Sequence, residues 1–173
     1  MGAGAAEDCI SVTEEAADII SSSLDLKACY DIYDIEHKGD KLIIGSIVTS
    51  SKDLRKNLRQ CKKAAVFAAT IGHMADAAIK KHTSLSALSG LAVHSAGTDA
   101  IEKWCDLLCA DIAKAAGGSL CPRFSPGYGD LPLSLQADIC NMLNTSRNIG
   151  LMLSDSLLML PTKSVTAIVG IRC

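Results

Sequence analysis

Between positions 121 and 132 the chain reads Cys-Pro-Arg-Phe-Ser-Pro-Gly-Tyr-Gly-Asp-Leu-Pro, where side-chain chemistry and backbone punctuation coincide. Arg123 offers a planar fork of N–H donors, the geometry that holds a carboxylate at two points. Pro126 presets one backbone dihedral, while Gly127 and Gly129 permit positive φ and close approach by a ligand. Tyr128 adds a flat aromatic face and a hydroxyl. A loop of this kind can hold the amino-acid end of a small ligand through backbone amides and one ion pair. On spacing alone, a tight turn with Arg123 in solvent is the more ordinary meaning of the same residues.

The rest of the chain offers little competing chemistry. There is no Gly-x-Gly-x-x-Gly after a strand, no Walker A lysine loop, no His-Glu-x-x-His and no Gly-x-Ser-x-Gly, which disfavours a Rossmann-type methyltransferase. Gly2-Ala-Gly-Ala follows no strand and is no nucleotide fingerprint. Nothing in spacing pairs Cys121 with any of the four histidines, so no catalytic group is assigned. The eight cysteines include no Cys-x-x-Cys pair. Cys105 and Cys109, one helical turn apart, could share a metal, but no further ligands complete a tetrahedral shell, and core packing of reduced thiols is the preferred reading.

Several elements must position this loop. Ser11-Val-Thr-Glu14 fits a capping box that starts a helix carrying Ile19 and Ile20. Ile32 to Ile35 and Leu42 to Val48 read as strands of a hairpin about His37-Lys-Gly-Asp40, near a sheet edge. Ser51 to Lys62 reads as a polar helix with Leu54 and Leu58 facing inward. Ala64 to Ile71 is an uninterrupted apolar run, the pattern of a strand buried on both faces. Met74 to Lys81 and Leu85 to Val93 are expected helices. From Thr98 a further helix places Ile101, Trp104, Cys105, Leu108 and Ile112 on one side, with Asp99, Glu102, Lys103 and Asp106 on the other, and closes at Gly117-Gly118. A short helix with Leu135, Ile139, Met142 and Leu143 on one face follows the loop, and Leu151 to Leu160 with Ser164 to Ile171 is expected as a terminal hairpin. The sum is an α+β fold, one domain over residues 1–173, with a twisted, largely antiparallel sheet flanked by helices.

Composition bounds the partners. The 173 residues carry a net charge of −2, with 49% hydrophobic, 21% charged and 3% aromatic residues. No basic field suits nucleic acid or a membrane surface. No apolar run is long enough to span a bilayer, and Met1 to Asp8 lacks the features of a secretory signal. Ala6 stands where a myristoylation motif wants Ser or Thr. A cytoplasmic location is expected.

Two gapped segments together resemble the S-adenosylmethionine-binding activation domain of cobalamin-dependent methionine synthase. The signature Arg-x-x-Pro-Gly-Tyr is present at Arg123, Pro126, Gly127 and Tyr128. Downstream, Gly-x-x-Leu-(Ser/Thr)-(Asp/Glu)-Ser and Met-x-Pro-x-x-Ser-Val match Gly150, Leu153, Ser154, Asp155 and Ser156, then Met159, Pro161, Ser164 and Val165. Gly-Tyr-Gly-Asp-x-Pro at 127–132 resembles the short, single-domain branch of that family. The match covers roughly residues 121–171 and is looser upstream, where Glu102 resembles a family acidic residue near the cofactor.

The resemblance implies that Arg123 grips the carboxylate of S-adenosylmethionine, with Pro126, Gly127, Tyr128 and Glu102 around it. It further implies that cobalamin resides on a partner, a methionine synthase or another corrinoid protein, while flavodoxin or another reductant supplies the electron for reductive methylation of cob(II)alamin. In that scheme the chain positions a methyl donor and needs no acid or base of its own. Family members continue past the Ser-Val strand with tyrosines near the adenosine, whereas this sequence stops at Cys173. Its shorter reach leaves open a docking subunit of a corrinoid methyltransferase that binds no S-adenosylmethionine. A cysteine-based metal or redox protein is the third class.

Overall fold

The computed structural model describes residues 3–172, and side chains over residues 10–172. The Met1-Gly2 and Ala6 readings, Cys9 and Cys173 lie outside those side chains. In chain order the elements are α1 (Ala3–Ser21), β1 (Lys27–Lys38), β2 (Lys41–Ile44), β3 (Ile47–Thr49), α2 (Lys52–Asn57), β4 (Lys63–Thr70), α3 (His73–Leu85) and α4 (Ala87–Ala116). They continue as β5 (Ser119–Leu120), α5 (Leu135–Met142), α6 (Thr145–Ile149), β6 (Met152–Leu153), β7 (Met159–Leu160) and β8 (Ser164–Arg172).

Six strands form one antiparallel sheet in the order β3-β2-β1-β4-β8-β5, and the sixth position is held by the short β5. The apolar run at 64–71 is its centre. Ala65, Phe67 and Ala69 of β4 point to a core shared with α1, α3 and α4, while Ala64, Val66 and Ala68 point to a second core under α2, α5 and α6. β8 alternates in the same way, with Ala167, Val169 and Ile171 on the first side and Ile168 on the second. A strand buried on both faces therefore sits in a sheet that is antiparallel throughout, because helices cover both sides. The alanines of β4 keep that double layer thin enough for helices to close on each face.

The expected α+β class and antiparallel sheet hold, and four local expectations are corrected. α1 runs through Ser11 to Glu14 instead of starting there; the alanine-rich stretch upstream extends the helix. Leu42 to Val48 is two strands, not one, because Gly45 turns the chain at φ +56° where a Cβ would meet Met142 Sδ at 2.8 Å and the Tyr33 ring at 3.0 Å. Leu85 closes α3, and the stretch to Val93 and the helix from Thr98 are one 30-residue helix, capped by the Ser86 side chain and ended by left-handed Gly117. The terminal hairpin does not form as expected. β6 and β7 pair only with each other, and β8 inserts between β4 and β5, matching Lys63 to Ile171 and Thr70 to Ser164.

Candidate functional site

Arg123 lies where the chain leaves β5 at the sheet edge. On one side the Cys121 N–H donates to the Gly170 carbonyl at 2.8 Å; on the other, Phe124 and Ile168 exchange two N–H···O bonds of 2.9 Å. Both neighbours are thus clamped to β8, and Arg123 is held between them against α4. Its Nη2 lies 2.6 Å from Glu102 Oε2 and 3.3 Å from Asp106 Oδ1. Glu102, Asp106 and Cys109 follow one another at helical spacing, so one stripe of α4 forms the opposite wall. Burial pulls the Arg123 pKa down, but Cys105, Glu102 and Asp106 act the other way and the net shift is upward, so the guanidinium is permanently charged.

The resulting cleft has a volume of about 620 Å³ and is bounded by Glu102, Asp106, Arg123, Tyr128, Met159 and Thr166, among others. Two side-chain atoms of its bordering residues, Arg123 Nη1 and Thr166 Oγ1, are buried with no hydrogen-bond partner among the described residues. Donors in that state are costly unless something pairs them. The border of the cleft therefore combines a fixed cation, two buried donors that lack a protein acceptor, and two carboxylates on the facing helix. It has the means to pair with both ends of a zwitterion.

Polar contacts at a distance hold the loop in shape. Gly127 has φ +91° and its N–H donates to Leu131 O at 2.9 Å, while Leu131 N–H returns to Tyr128 O at 2.9 Å. Phe124 and Tyr128 pack edge to face with centroids 6.3 Å apart. Asp130 then reaches across to the first turn of α2. Its carboxylate accepts from Lys52 N at 2.7 Å, from Asp53 N at 3.2 Å and from the Ser51 hydroxyl. Asp53 Oδ2 in return accepts from the Asp130 N–H at 3.3 Å. The hydrogen bonds from Ser51, Lys52 and Asp53 hold the Asp130 carboxyl below its ordinary range.

The second gapped segment is tied down as firmly. Gly150 ends α6 in the left-handed region at φ +70°. Asp76 of α3 accepts from Thr162 N at 2.7 Å and from Thr162 Oγ1 at 2.5 Å. Lys163 is buried, and its Nζ lies 2.7 Å from Thr98 Oγ1 and 3.3 Å from His94 Nε2; burial pulls its pKa down. These contacts seat the start of β8, which brings Ser164, Val165 and Thr166 to the cleft.

Of the residues picked from sequence, Arg123, Pro126, Tyr128 and Glu102 border the same cleft. Gly127 does not border it and instead turns the chain beside them. Arg123 is not in solvent: its side chain is 24% exposed and ion-paired. Glu102 and Asp106 form the wall facing Arg123, while Asp99 and Lys103 pair with each other at 3.2 Å. Asp106 and Thr166 were not assigned to this site, and Cys109 was read only with Cys105, as a core thiol or metal ligand, although the spacing 102, 106, 109 marks a single helix stripe. Cys105 is packed inside the core under α4, where burial pushes its thiol up to about 12, so it is no ready thiolate ligand. Among the described residues no cluster of His, Cys, Asp and Glu could hold a metal, and no helix is long and apolar enough to cross a membrane.

No family model matches the chain, and no curated protein matches it. Among solved structures it is similar to a crystal structure of the MetH reactivation domain bound to AdoHcy, with a TM-score of 0.74 and 16% sequence identity. The match covers 95% of this chain and 66% of that one. The two share a fold, and this chain spans about two thirds of the length of its neighbour.

Proposed function

We propose that the Arg123 cleft binds S-adenosylmethionine by its amino-acid end, and that the chain serves as a reactivation partner of a cobalamin-dependent methionine synthase or related corrinoid methyltransferase. The observation that carries this reading is the buried, unpaired Nη1 of an arginine whose other terminal nitrogen is already fixed by Glu102. A ligand carboxylate supplies the missing acceptor, and Glu102 and Asp106 on the facing helix receive its ammonium. The fold neighbour binds AdoHcy, and the cleft volume falls in the range of about 300–1,000 Å³ common to small-molecule sites.

S-adenosylmethionine supplies an electrophilic methyl group on a sulfonium. The chain's own part is positioning. Arg123 and the α4 carboxylates anchor the remote end of the ligand in the cleft that Tyr128 and Met159 also border, and the reactive end is left to face a docked partner that carries cobalamin. Flavodoxin or another reductant would supply the electron. None of this asks for a general acid or base.

The test is reactivation. A corrinoid methyltransferase arrested as cob(II)alamin should regain its methylcobalamin spectrum when mixed with this chain, S-adenosylmethionine and reductant, and Arg123→Ala should abolish the effect. If the chain forms a complex with the corrinoid protein independently of S-adenosylmethionine and gives no spectral recovery, the docking-subunit reading replaces this one.

A further inference from the structure

Cys61 and Cys121 lie 60 positions apart in sequence, yet their sulfurs are 3.3 Å from each other and buried. Both approach over the same residue of β8. The Cys121 N–H donates to Gly170 O, and Ala64, three residues after Cys61, pairs with Gly170 in the sheet. Gly170 makes the meeting possible: a Cβ there would lie 2.5 Å from Cys61 Sγ, 3.2 Å from Cys121 Sγ and 2.7 Å from Leu58 Cδ2. The slot is thus open for two sulfurs and closed to any side chain on the strand between them. Cys121 also borders the Arg123 cleft, two residues before Arg123 itself, whereas Cys61 does not border it.

We propose that Cys61 and Cys121 are a reversible disulfide site, at which oxidation by a small hydroperoxide ties the root of the Arg123 loop to the turn before β4. This inference stands independently of which ligand the cleft takes. The step is a two-electron oxidation. The Cys121 sulfur attacks the hydroperoxide, the O–O bond breaks, the thiol proton passes to the leaving oxygen, and a sulfenic acid and one water (an alcohol from an organic hydroperoxide) result. The Cys61 sulfur then attacks the Cys121 sulfur, forming the S–S bond and releasing the sulfenic oxygen as a second water. The sulfurs must close from 3.3 Å to about 2.05 Å, a shift within reach of side-chain rotation when the backbones already flank one strand. Burial, offset in part by Arg172, holds the Cys61 thiol up at about 11, and of the two residues only Cys121 belongs to the border of the cleft, so the first oxidation is assigned to Cys121. Closing the bond draws on Cys121 and hence on Pro122 and Arg123 beyond it.

The test is peptide mapping of the whole chain under non-reducing conditions after graded treatment with hydrogen peroxide. The expected result is a linked peptide containing Cys61 and Cys121, lighter by two hydrogens, as the first cross-link to form and one fully reversed by dithiothreitol. In Cys61→Ser, the same treatment should leave a Cys121 sulfenic acid that dimedone traps. The mapping of the unaltered chain decides the matter even if that variant folds poorly. Linkage of other cysteines first, over-oxidation of Cys121 without linkage, or both thiols still alkylated after the other cysteines have reacted would overturn the proposal.

Discussion

Arg123 and Asp130 are charged residues of one loop, and their surroundings are opposite. Asp130 is in solvent, yet its carboxylate accepts from Lys52 N, Asp53 N and the Ser51 hydroxyl. Arg123 is three-quarters covered, yet one of its terminal nitrogens is buried without a partner. The exposed charge is saturated by the protein's own groups and fastens the loop to the start of α2. The covered charge is held in place by two carboxylates but left with one buried nitrogen unpartnered, on a residue that borders a cleft. Degree of pairing, more than degree of exposure, separates the residue that builds the loop from the residue the loop presents.

That contrast can be broken from either end. Arg123→Ala has the largest expected effect: ligand affinity falls about 100-fold, the loss of a bidentate charge-assisted contact, with little change in thermal midpoint, since its ion pairs are partly exposed. Calorimetry and a thermal melt on the same variant check both halves. Asp130→Ala should do the reverse. Its thermal midpoint drops by several degrees and the loop becomes cleavable in limited proteolysis, while ligand affinity falls only about 10-fold through loss of loop order. Equal stability of the two variants would remove the distinction.

Glu102→Gln sharpens the picture on the facing wall. It keeps a hydrogen-bonding partner for Arg123 and removes one negative charge, so an effect on affinity of about 10-fold is expected, with Asp106→Asn weaker at about 3-fold because its contact to Arg123 is longer. The smallest effect is an acid one. Asp130 has a folded pKa below the ordinary value of 3.8, so its contribution to stability is complete above that pH and is lost as pH falls through the lower, folded value. Thermal midpoints measured at graded acid pH should fall less steeply in Asp130→Asn than in the unaltered chain.

The sequence made the centre of this arrangement visible and hid its connections. Ala64 to Ile71 announces a strand buried on both faces because every position is apolar, and the Arg-x-x-Pro-Gly-Tyr loop is marked by residues that restrict or free the backbone. Three features escaped for physical reasons. Gly97 lies inside α4, where a Cβ would stand only 3.3 Å from Lys163 Cε; a glycine that allows such an approach looks in sequence like a helix break. β8 follows β7 closely in the chain, yet its hydrogen bonds go to β4, more than ninety positions upstream, which local pattern does not encode. The Asp130 cap on α2 joins positions 77 to 79 apart, so a residue that reads as an ordinary turn aspartate proves to be the fastening of the loop. The stripe Glu102, Asp106, Cys109 was legible in spacing alone, but only the placement of Arg123 gives it a direction.

The central claim is that the cleft recognises the amino-acid end of its ligand through Arg123. It is tested most directly by titrating S-adenosylhomocysteine and methylthioadenosine, which lacks that end, into the unaltered chain and into Arg123→Ala by calorimetry. The unaltered chain should bind S-adenosylhomocysteine about 100-fold more tightly than methylthioadenosine, and Arg123→Ala should lose this preference. Equal binding of both ligands by the unaltered chain, no binding of either, or a preference that survives in Arg123→Ala would contradict it.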